Sequence, residues 1–75
     1  MNMVEEIHEY DVVALIKDLP EDQLSAGQTG TVVFVHNRGE AFEVEFMLDP
    51  RHSVVATVER PALLKLKGHG YSKAS

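Results

Sequence analysis

Hydrophobic and polar residues alternate most regularly along Glu40–Leu48. Glu43 and Glu45 occupy one side of this stretch, and the other side is apolar, with Phe42, Val44, Phe46 and Leu48. A period of two is the pattern of a strand with one buried face. We therefore predict a strand here, with its apolar side facing the core.

Four other segments have the composition of strands, because they are rich in β-branched and aromatic residues and lie between turn-forming residues. They are Tyr10–Lys17, Thr31–His36, Ser53–Glu59 and Leu63–Lys67. A bend is expected at 18–26, where Pro20 interrupts sheet pairing, and Arg60–Ala62 predicts one turn of 3₁₀ helix before the last strand. Residues 1–9 are predicted as a flexible lead-in or short cover segment, and 68–75 as a disordered tail.

The first of these strands has apolar residues on both of its sides. One side carries Tyr10, Val12, Ala14 and Ile16, and the other carries Val13 and Leu15. A strand with two apolar sides needs cover on both. We predict that Tyr10 belongs to the core and that the Val13 side faces outward, because it lies between Asp11 and Lys17.

Glycines mark the turns on either side of the second strand. Gly27 and Gly30 form a tight turn before it and are expected to allow positive φ angles that other residues avoid. Gly39 ends the connection after it, at a hairpin position that also favours positive φ. These glycines are interpreted as structural rather than phosphate-binding, since no helix follows them and no Lys-Ser/Thr pair completes a phosphate-binding loop.

Five short antiparallel strands within residues 10–67 are typical of an SH3-like barrel, an all-β fold with a one-turn 3₁₀ helix before the last strand. Closure of the barrel removes exposed strand edges. A chain of 75 residues forms one domain, and folding removes only roughly 60% of its unfolded surface from water. The chain has no cysteine, so disulfides and Cys-based zinc sites are excluded. Packing or self-association must supply the stability that such cross-links give other small folds.

The charge balance narrows the class of partner. Twelve acidic and seven basic residues give a formal net charge of −5. This sign repels phosphate backbones and anionic lipid, so neither nucleic acid nor a membrane is the expected partner. The acidic N-terminus does not resemble a signal peptide, and no apolar run approaches the ~18 residues of a membrane span. We therefore expect a cytoplasmic protein.

Residues that could carry chemistry are few. The histidines are His8, His36, His52 and His69, and none has the spacing of a metal site. The serines lie in predicted turns or in the tail, where a hydrolytic triad would have no buried nucleophile. Glu43 and Glu45 are interpreted as a solvated polar side. We expect no catalytic residue, no cofactor and no metal, and hence no enzyme.

Four motifs resemble a known family. They are YDVVAL at Tyr10–Leu15, DLP at Asp18–Pro20, GQTGTVVFVH at Gly27–His36 and AFEVEF at Ala41–Phe46. In order and spacing they look like a family of small bacterial proteins described only as a domain of unknown function. The resemblance runs from Tyr10 to Leu66 and implies an SH3-like fold, with no catalytic residues to transfer. The family pattern is usually polar or charged where this chain has Phe34.

The turn G-x-x-G-T-V is similar to turns in several other small barrels. These include the KOW-type turn of ribosomal and transcription-factor barrels, the small barrel subunit of photosystem I and the β-subunit barrel of nitrile hydratase. The likeness covers a turn and a fold, and a shared fold does not imply a shared function.

The position of Phe34 is part of a wider excess of apolar residues. Alternation predicts that Val33 and Val35 face inward, so that Val32 and Phe34 face outward. The outward side of the first strand adds to the same apolar patch. Such a patch is expected to be covered, either by the lead-in or the bend or by another chain. We predict a symmetric homodimer, or a higher oligomer, with its interface at Val13, Leu15, Val32 and Phe34.

The predicted function is therefore a non-enzymatic protein-interaction module that self-associates through an exposed apolar strand face. One alternative is a KOW-like module that binds RNA or nucleoprotein with its basic residues Arg38, Arg51, Lys65, Lys67 and Lys73. The chain lacks clustered aromatic residues for base stacking, which counts against this alternative. The other is an accessory or antidote subunit that binds the product of a neighbouring gene, a protein partner that the sequence does not identify.

Overall fold

The computed structural model describes residues 5–67. The strands are β1 (Val12–Leu15), β2 (Thr29–His36), β3 (Ala41–Asp49), β4 (His52–Glu59) and β5 (Leu63–Lys67), and two short 3₁₀ helices span Pro20–Asp22 and Arg60–Ala62. The predicted tail at 68–75 and the first part of the predicted lead-in, 1–4, lie outside the described residues.

All five strands form one antiparallel sheet in the order β4-β3-β2-β1-β5. An all-β fold with five antiparallel strands is confirmed, and Arg60–Ala62 forms the expected 3₁₀ turn before the last strand. The other 3₁₀ helix lies in the predicted bend, which an isolated bridge between Leu19 and Leu24 closes. Within residues 5–67, β4 and β5 each have a hydrogen-bonded neighbour on one side only, so hydrogen bonds do not close the sheet.

The inward side of β3 follows the predicted alternation over most of its length. Phe42, Val44 and Phe46 are fully buried at the centre of the core. Leu48 was predicted on the same side and is instead exposed. The register between β3 and β4 shifts between Met47 and Asp49, so the alternation ends before Leu48.

The predicted turn between β3 and β4 is held by the carboxylate of Asp49. The backbone N–H of Arg51 donates to Asp49 Oδ1 at 2.8 Å, and the ring of His52 lies 2.9 Å from the same oxygen. These hydrogen bonds, above all the one from Arg51, lower the pKa of Asp49. An Asp before Pro therefore fixes this hairpin through its own side chain, as such turns commonly do.

The side of β1 that faces the core is the opposite of the predicted one. Val13 and Leu15 are buried, whereas Tyr10 and Ile16 are exposed. Tyr10 has a φ of +73°, which breaks the extended conformation, and the register with β5 shifts between Val12 and Val13. The extra residue of this shift, Leu66, lies in β5, so the period-two pattern of β1 alone does not indicate which of its two apolar sides is buried.

The inward side of β2 changes along the strand because the strand contains a bulge. Gly30 and Val32 are buried, so the predicted outward orientation of Val32 is wrong. The register with β3 then shifts between Val32 and Phe34, which leaves Val33 as the extra residue. After the shift Phe34 is exposed and Val35 packs against the core, as predicted.

The three glycines predicted in turns have two different physical roles, and Gly30 lies inside β2 rather than in the turn before it. Gly27 and Gly39 have φ angles of +95° and +101°, in the region that favours glycine, as expected. Gly30 does not have a positive φ, so that part of the prediction is wrong. A Cβ at Gly30 would lie 2.7 Å from the backbone oxygen of Glu45 and 2.7 Å from Val44 Cγ1. Gly30 therefore lets β2 and β3 pack closely.

Residues outside the sheet complete the core. Ile7 from the lead-in and Leu24 from the bend are buried with the sheet side chains, and Leu19 packs against them. The lead-in is fixed by long-range contacts, since Arg60 donates to the carbonyl of Glu5 at 2.7 Å. The described part of the lead-in thus covers one end of the core.

Candidate functional site

The predicted interface residues do not form one surface. Val13, Leu15 and Val32 are at most 1% exposed and belong to the core, so their predicted outward orientation is wrong. Phe34 is the exception, with 53% of its surface exposed. The apolar excess that the sequence indicated is nevertheless present, because the other side of β1 now faces outward.

We call this outward surface the β1–β5 face. Its exposed or half-buried apolar residues are Val12, Ile16, Leu64 and Leu66, which surround the buried Ala14, and Lys67 is the β5 partner of Val12 at its edge. Ala14 pairs directly with Leu64 across the two strands, and Ile16 follows Ala14 by two residues on the same side. Ile16, Leu64 and Leu66 are 55%, 53% and 46% exposed. Three large apolar side chains, two on β5 and one directly after β1, are therefore about half exposed to solvent.

The neighbouring strand β2 extends the β1–β5 face without adding charge. Thr31 and Thr29 are the partners of Val12 and Ala14 in β2. Threonine is common on such surfaces because its branched side chain packs well on a pleated sheet. The described side chains of this area are therefore apolar or uncharged.

Lys65, between the two exposed leucines of β5, points away from the β1–β5 face. Its Nζ lies 3.4 Å from Asp11 Oδ2 and donates to the carbonyl of Glu6 at 3.0 Å. Asp11 is 1% exposed and also accepts the backbone N–H of His8 at 2.6 Å. One cation of β5 is thus held beside a buried carboxylate, on the side of the strand away from Leu64 and Leu66.

Phe34 lies in a second outward cluster, formed by β2, β3 and β4. Its ring meets the ring of His36 edge to face, with the centroids 4.8 Å apart. His36 Nε2 lies 2.6 Å from Glu43 Oε2, and Thr57 Oγ1 donates to the Glu43 carboxylate at 2.8 Å. The hydrogen bond with His36, followed by that from Thr57, lowers the pKa of Glu43.

This chain of polar groups links three strands and does not have the geometry of a catalytic triad. Thr57 donates to a carboxylate and is not held by the imidazole, so no base activates its hydroxyl. Glu43, with its lowered pKa, is a weak proton acceptor. The interpretation of Glu43 as part of a solvated polar side missed these cross-strand partners. The signal was the pairing of β3 with β4, which places Glu43 opposite Thr57.

The other residues considered for chemistry are dispersed. His8 lies in the lead-in, His52 is bonded to Asp49, and His69 is outside the described residues. Among residues 5–67 no group of three His, Cys, Asp or Glu side chains could hold a metal ion. Arg38 and Arg51 lie at opposite ends of β3, so these two basic residues do not form one patch.

The described concavities lie away from the β1–β5 face. One of about 560 Å³ lies between the hairpin of β2 and β3 and the 3₁₀ turn after β4, and Glu40 and Arg60 line it. One of about 500 Å³ lies between the lead-in and the same hairpin, and Val35, Phe42 and Arg60 line it. Another of about 230 Å³ lies between the bend and the last residues of β4, and three carboxylates and the ammonium group of Lys17 line it.

Comparison with known proteins places the chain by its sequence. The search of curated proteins and the search of solved structures each gave no match. Among the described residues no helix is long and apolar enough to cross a membrane. One family model matches residues 9–50, which is more than half of the chain and includes β1, β2 and β3. The chain therefore belongs to the family defined as Domain of unknown function (DUF4926).

Proposed function

We propose that this protein is a non-enzymatic interaction module with an SH3-like barrel fold, and that it self-associates through the β1–β5 face. The strand order, the bend after β1 and the 3₁₀ turn between β4 and β5 support the assignment of the barrel. The observation that carries the proposal is the exposure of Leu64 and Leu66 on β5 and of Ile16, which directly follows β1.

The occupant of the β1–β5 face is a second copy of the chain. A two-fold axis through the face would bring the same three side chains of both copies together, which is the usual symmetry of a small oligomer. Two copies would bring six half-exposed apolar side chains to one contact.

The expected affinity is modest, because the burial of these six half-exposed side chains must first offset the translational and rotational freedom that is lost on association. The dimer is therefore expected to form at high protein concentration and to respond strongly to a single charge in the face.

A charge placed in the β1–β5 face tests the interface. Leu64→Glu should lower the weight-average mass measured by light scattering at high concentration, because it buries a carboxylate against apolar side chains. Leu48→Glu is the matched control, because Leu48 is the same residue type with the same 53% exposure but lies at the hairpin of β3 and β4. Equal masses for Leu64→Glu and the unmodified protein would contradict the proposed interface.

The alternatives from the sequence use other surfaces. A KOW-like module would need its basic residues on one face, whereas Lys65 is bound to Asp11 and the arginines at 38 and 51 are far apart. An accessory subunit would dock a different protein on the same apolar face. In that case the purified chain alone would remain monomeric.

A further inference from the structure

The strand β4 is an edge strand without the usual protection. It has eight residues, contains neither lysine nor proline, and pairs only with β3 within the described part of the chain. Native proteins usually blunt such edges with short strands, lysine, proline or bulges. At the other end of the sheet β5 follows this rule, with five residues and two lysines. The edge of β4 thus has no second hydrogen-bonded strand within the described residues, and the bend borders only its last residues, 57–59.

The outward side chains along the middle of β4 are uncharged. The hydroxyls of Ser53 and Thr57 donate to the carboxylates of Glu45 and Glu43 on β3. Between them Val55 is 52% exposed. Both hydroxyl hydrogens and both carboxylates are therefore engaged within the sheet, and an apolar side chain stands at the centre of the edge.

We propose that β4 of a second copy pairs antiparallel with this edge about a two-fold axis at Val55, so that two five-stranded sheets join into one. In this register Val55 opposes Val55 of the second copy, and Ser53 opposes Thr57. Directly opposed side chains are the pairs that stabilise an antiparallel ladder. Small uncharged residues on both sides of the central valines allow the two strands to approach.

Charge complementarity favours this register. Four residues beyond the axis in each direction, Arg51 opposes Glu59 of the second copy. Glu59 lines the groove between the bend and β4 together with Glu21, Asp22 and Lys17. The incoming Arg51 thus meets three carboxylates and one ammonium group, and the two-fold axis forms this contact twice.

The neighbouring registers are less favourable. An axis at Val54 would oppose Arg51 to Thr57 and Val55 to Ser53, so that Arg51 would not meet Glu59. An axis at Ala56 would oppose Val55 to Thr57 and leave Arg51 without Glu59. The register at Val55 is the one that matches both the apolar centre and the charged ends.

The β4 edge and the β1–β5 face are separate surfaces at opposite ends of the strand order. Either contact can form when the other is absent. If both form, each chain has two isologous interfaces, and the protein assembles beyond a dimer.

Cysteine cross-linking tests the pairing directly, because the chain contains no cysteine of its own. Val55→Cys should form an intermolecular disulfide on mild oxidation, since opposed residues lie about 5 Å apart between their Cα atoms. Ser53→Cys is the matched control on the same side of the same strand. Its two copies would lie roughly 13 Å apart along the strand, too far for a disulfide.

A mixture of Ser53→Cys and Thr57→Cys chains should form the mixed disulfide, because these positions oppose each other. Equal linking of Val55→Cys and Ser53→Cys, or no linking of Val55→Cys, would overturn the proposal. The same oxidation is repeated with Leu64→Glu added to Val55→Cys. If the double variant still forms the disulfide and Leu64→Glu alone lowers the mass, both contacts are supported. If the double variant forms the disulfide but Leu64→Glu does not lower the mass, only the proposed β1–β5 contact has failed.

Discussion

Gly30 lies where there is no room for a side chain, whereas Gly27 and Gly39 lie where the backbone needs a positive φ. The distinction matters because the two kinds of glycine fail in different ways. A side chain at Gly30 would meet backbone and core atoms of β3, and these cannot move without disturbing the sheet. A side chain at Gly27 meets no atom within 4 Å, so its cost is limited to backbone strain.

Replacing these glycines by alanine should therefore give unequal effects. We expect Gly27→Ala to reduce the free energy of unfolding by about 1 kcal/mol. We expect Gly30→Ala to reduce it by more than about 2 kcal/mol, because the added methyl group overpacks the contact between β2 and β3. Urea unfolding measures both values. A larger loss for Gly27→Ala would contradict the assigned roles.

The carboxylate of Glu43 makes stability depend on pH. Its pKa in the folded protein lies below the ordinary value of 4.5, first because of the hydrogen bond with His36. Stability from this group is therefore complete above that ordinary value and is lost as the pH falls through the lowered pKa. The free energy of unfolding should differ most between the unmodified protein and Glu43→Gln at about pH 6, and the difference should shrink towards about pH 3.

The control for this measurement removes the main cause of the shift. In a His36→Ala background, Glu43→Gln should change the pH dependence much less, because the imidazole hydrogen bond is already absent. If Glu43→Gln changed the pH dependence as strongly in the His36→Ala background as in the unmodified protein, His36 would not be the main partner of Glu43.

At the scale of elements, the sequence determined which strands form but not every side that they bury. β3 alternates one apolar and one acidic side, and that contrast was enough to orient Phe42 and Phe46. β1 has two apolar sides, so burial alone could not choose between them. The positive φ of Tyr10 interrupts the extended backbone before β1, and the bulge beside Val13 places its extra residue, Leu66, in β5.

The β1–β5 face could be predicted from the sequence only in part, for the same reason. An apolar excess on β1 was predictable, because a strand with two apolar sides needs cover on both. The residues that carry it were not predictable, since a one-residue shift in register moves a whole side of a strand from surface to core. The contribution of Leu64 and Leu66 also depends on the contact of Lys65 with Asp11, between residues distant in sequence.

Two alanine variants on β2 test the corrected parity. Val32→Ala should reduce the free energy of unfolding by about 2 kcal/mol, because it leaves a cavity in a fully buried site. Phe34→Ala should cost less than about 1 kcal/mol, because the ring is half exposed and loses mainly its contact with His36. Thermal unfolding measures the stability of both variants. A lower melting temperature for Phe34→Ala than for Val32→Ala would contradict the assigned bulge.

At the scale of the whole molecule, the sheet has two ends that differ in character. The β5 end carries the apolar face and two lysines, and the β4 end carries an uncharged strand edge beside acidic residues. A small domain without cysteine or described metal ligands gains stability if such surfaces meet another copy. Both surfaces therefore support the proposal that the whole molecule self-associates.

The most direct test of self-association through the β1–β5 face is sedimentation equilibrium from about 10 μM to about 1 mM, a range that spans the weak dissociation constants expected here. The unmodified chain should rise in mass with concentration from 8.4 kDa to at least twice that value. Leu64→Glu should have a lower mass at each high concentration, and Leu48→Glu should follow the unmodified protein. A mass that stays at 8.4 kDa throughout, or that Leu64→Glu does not lower, would contradict the account.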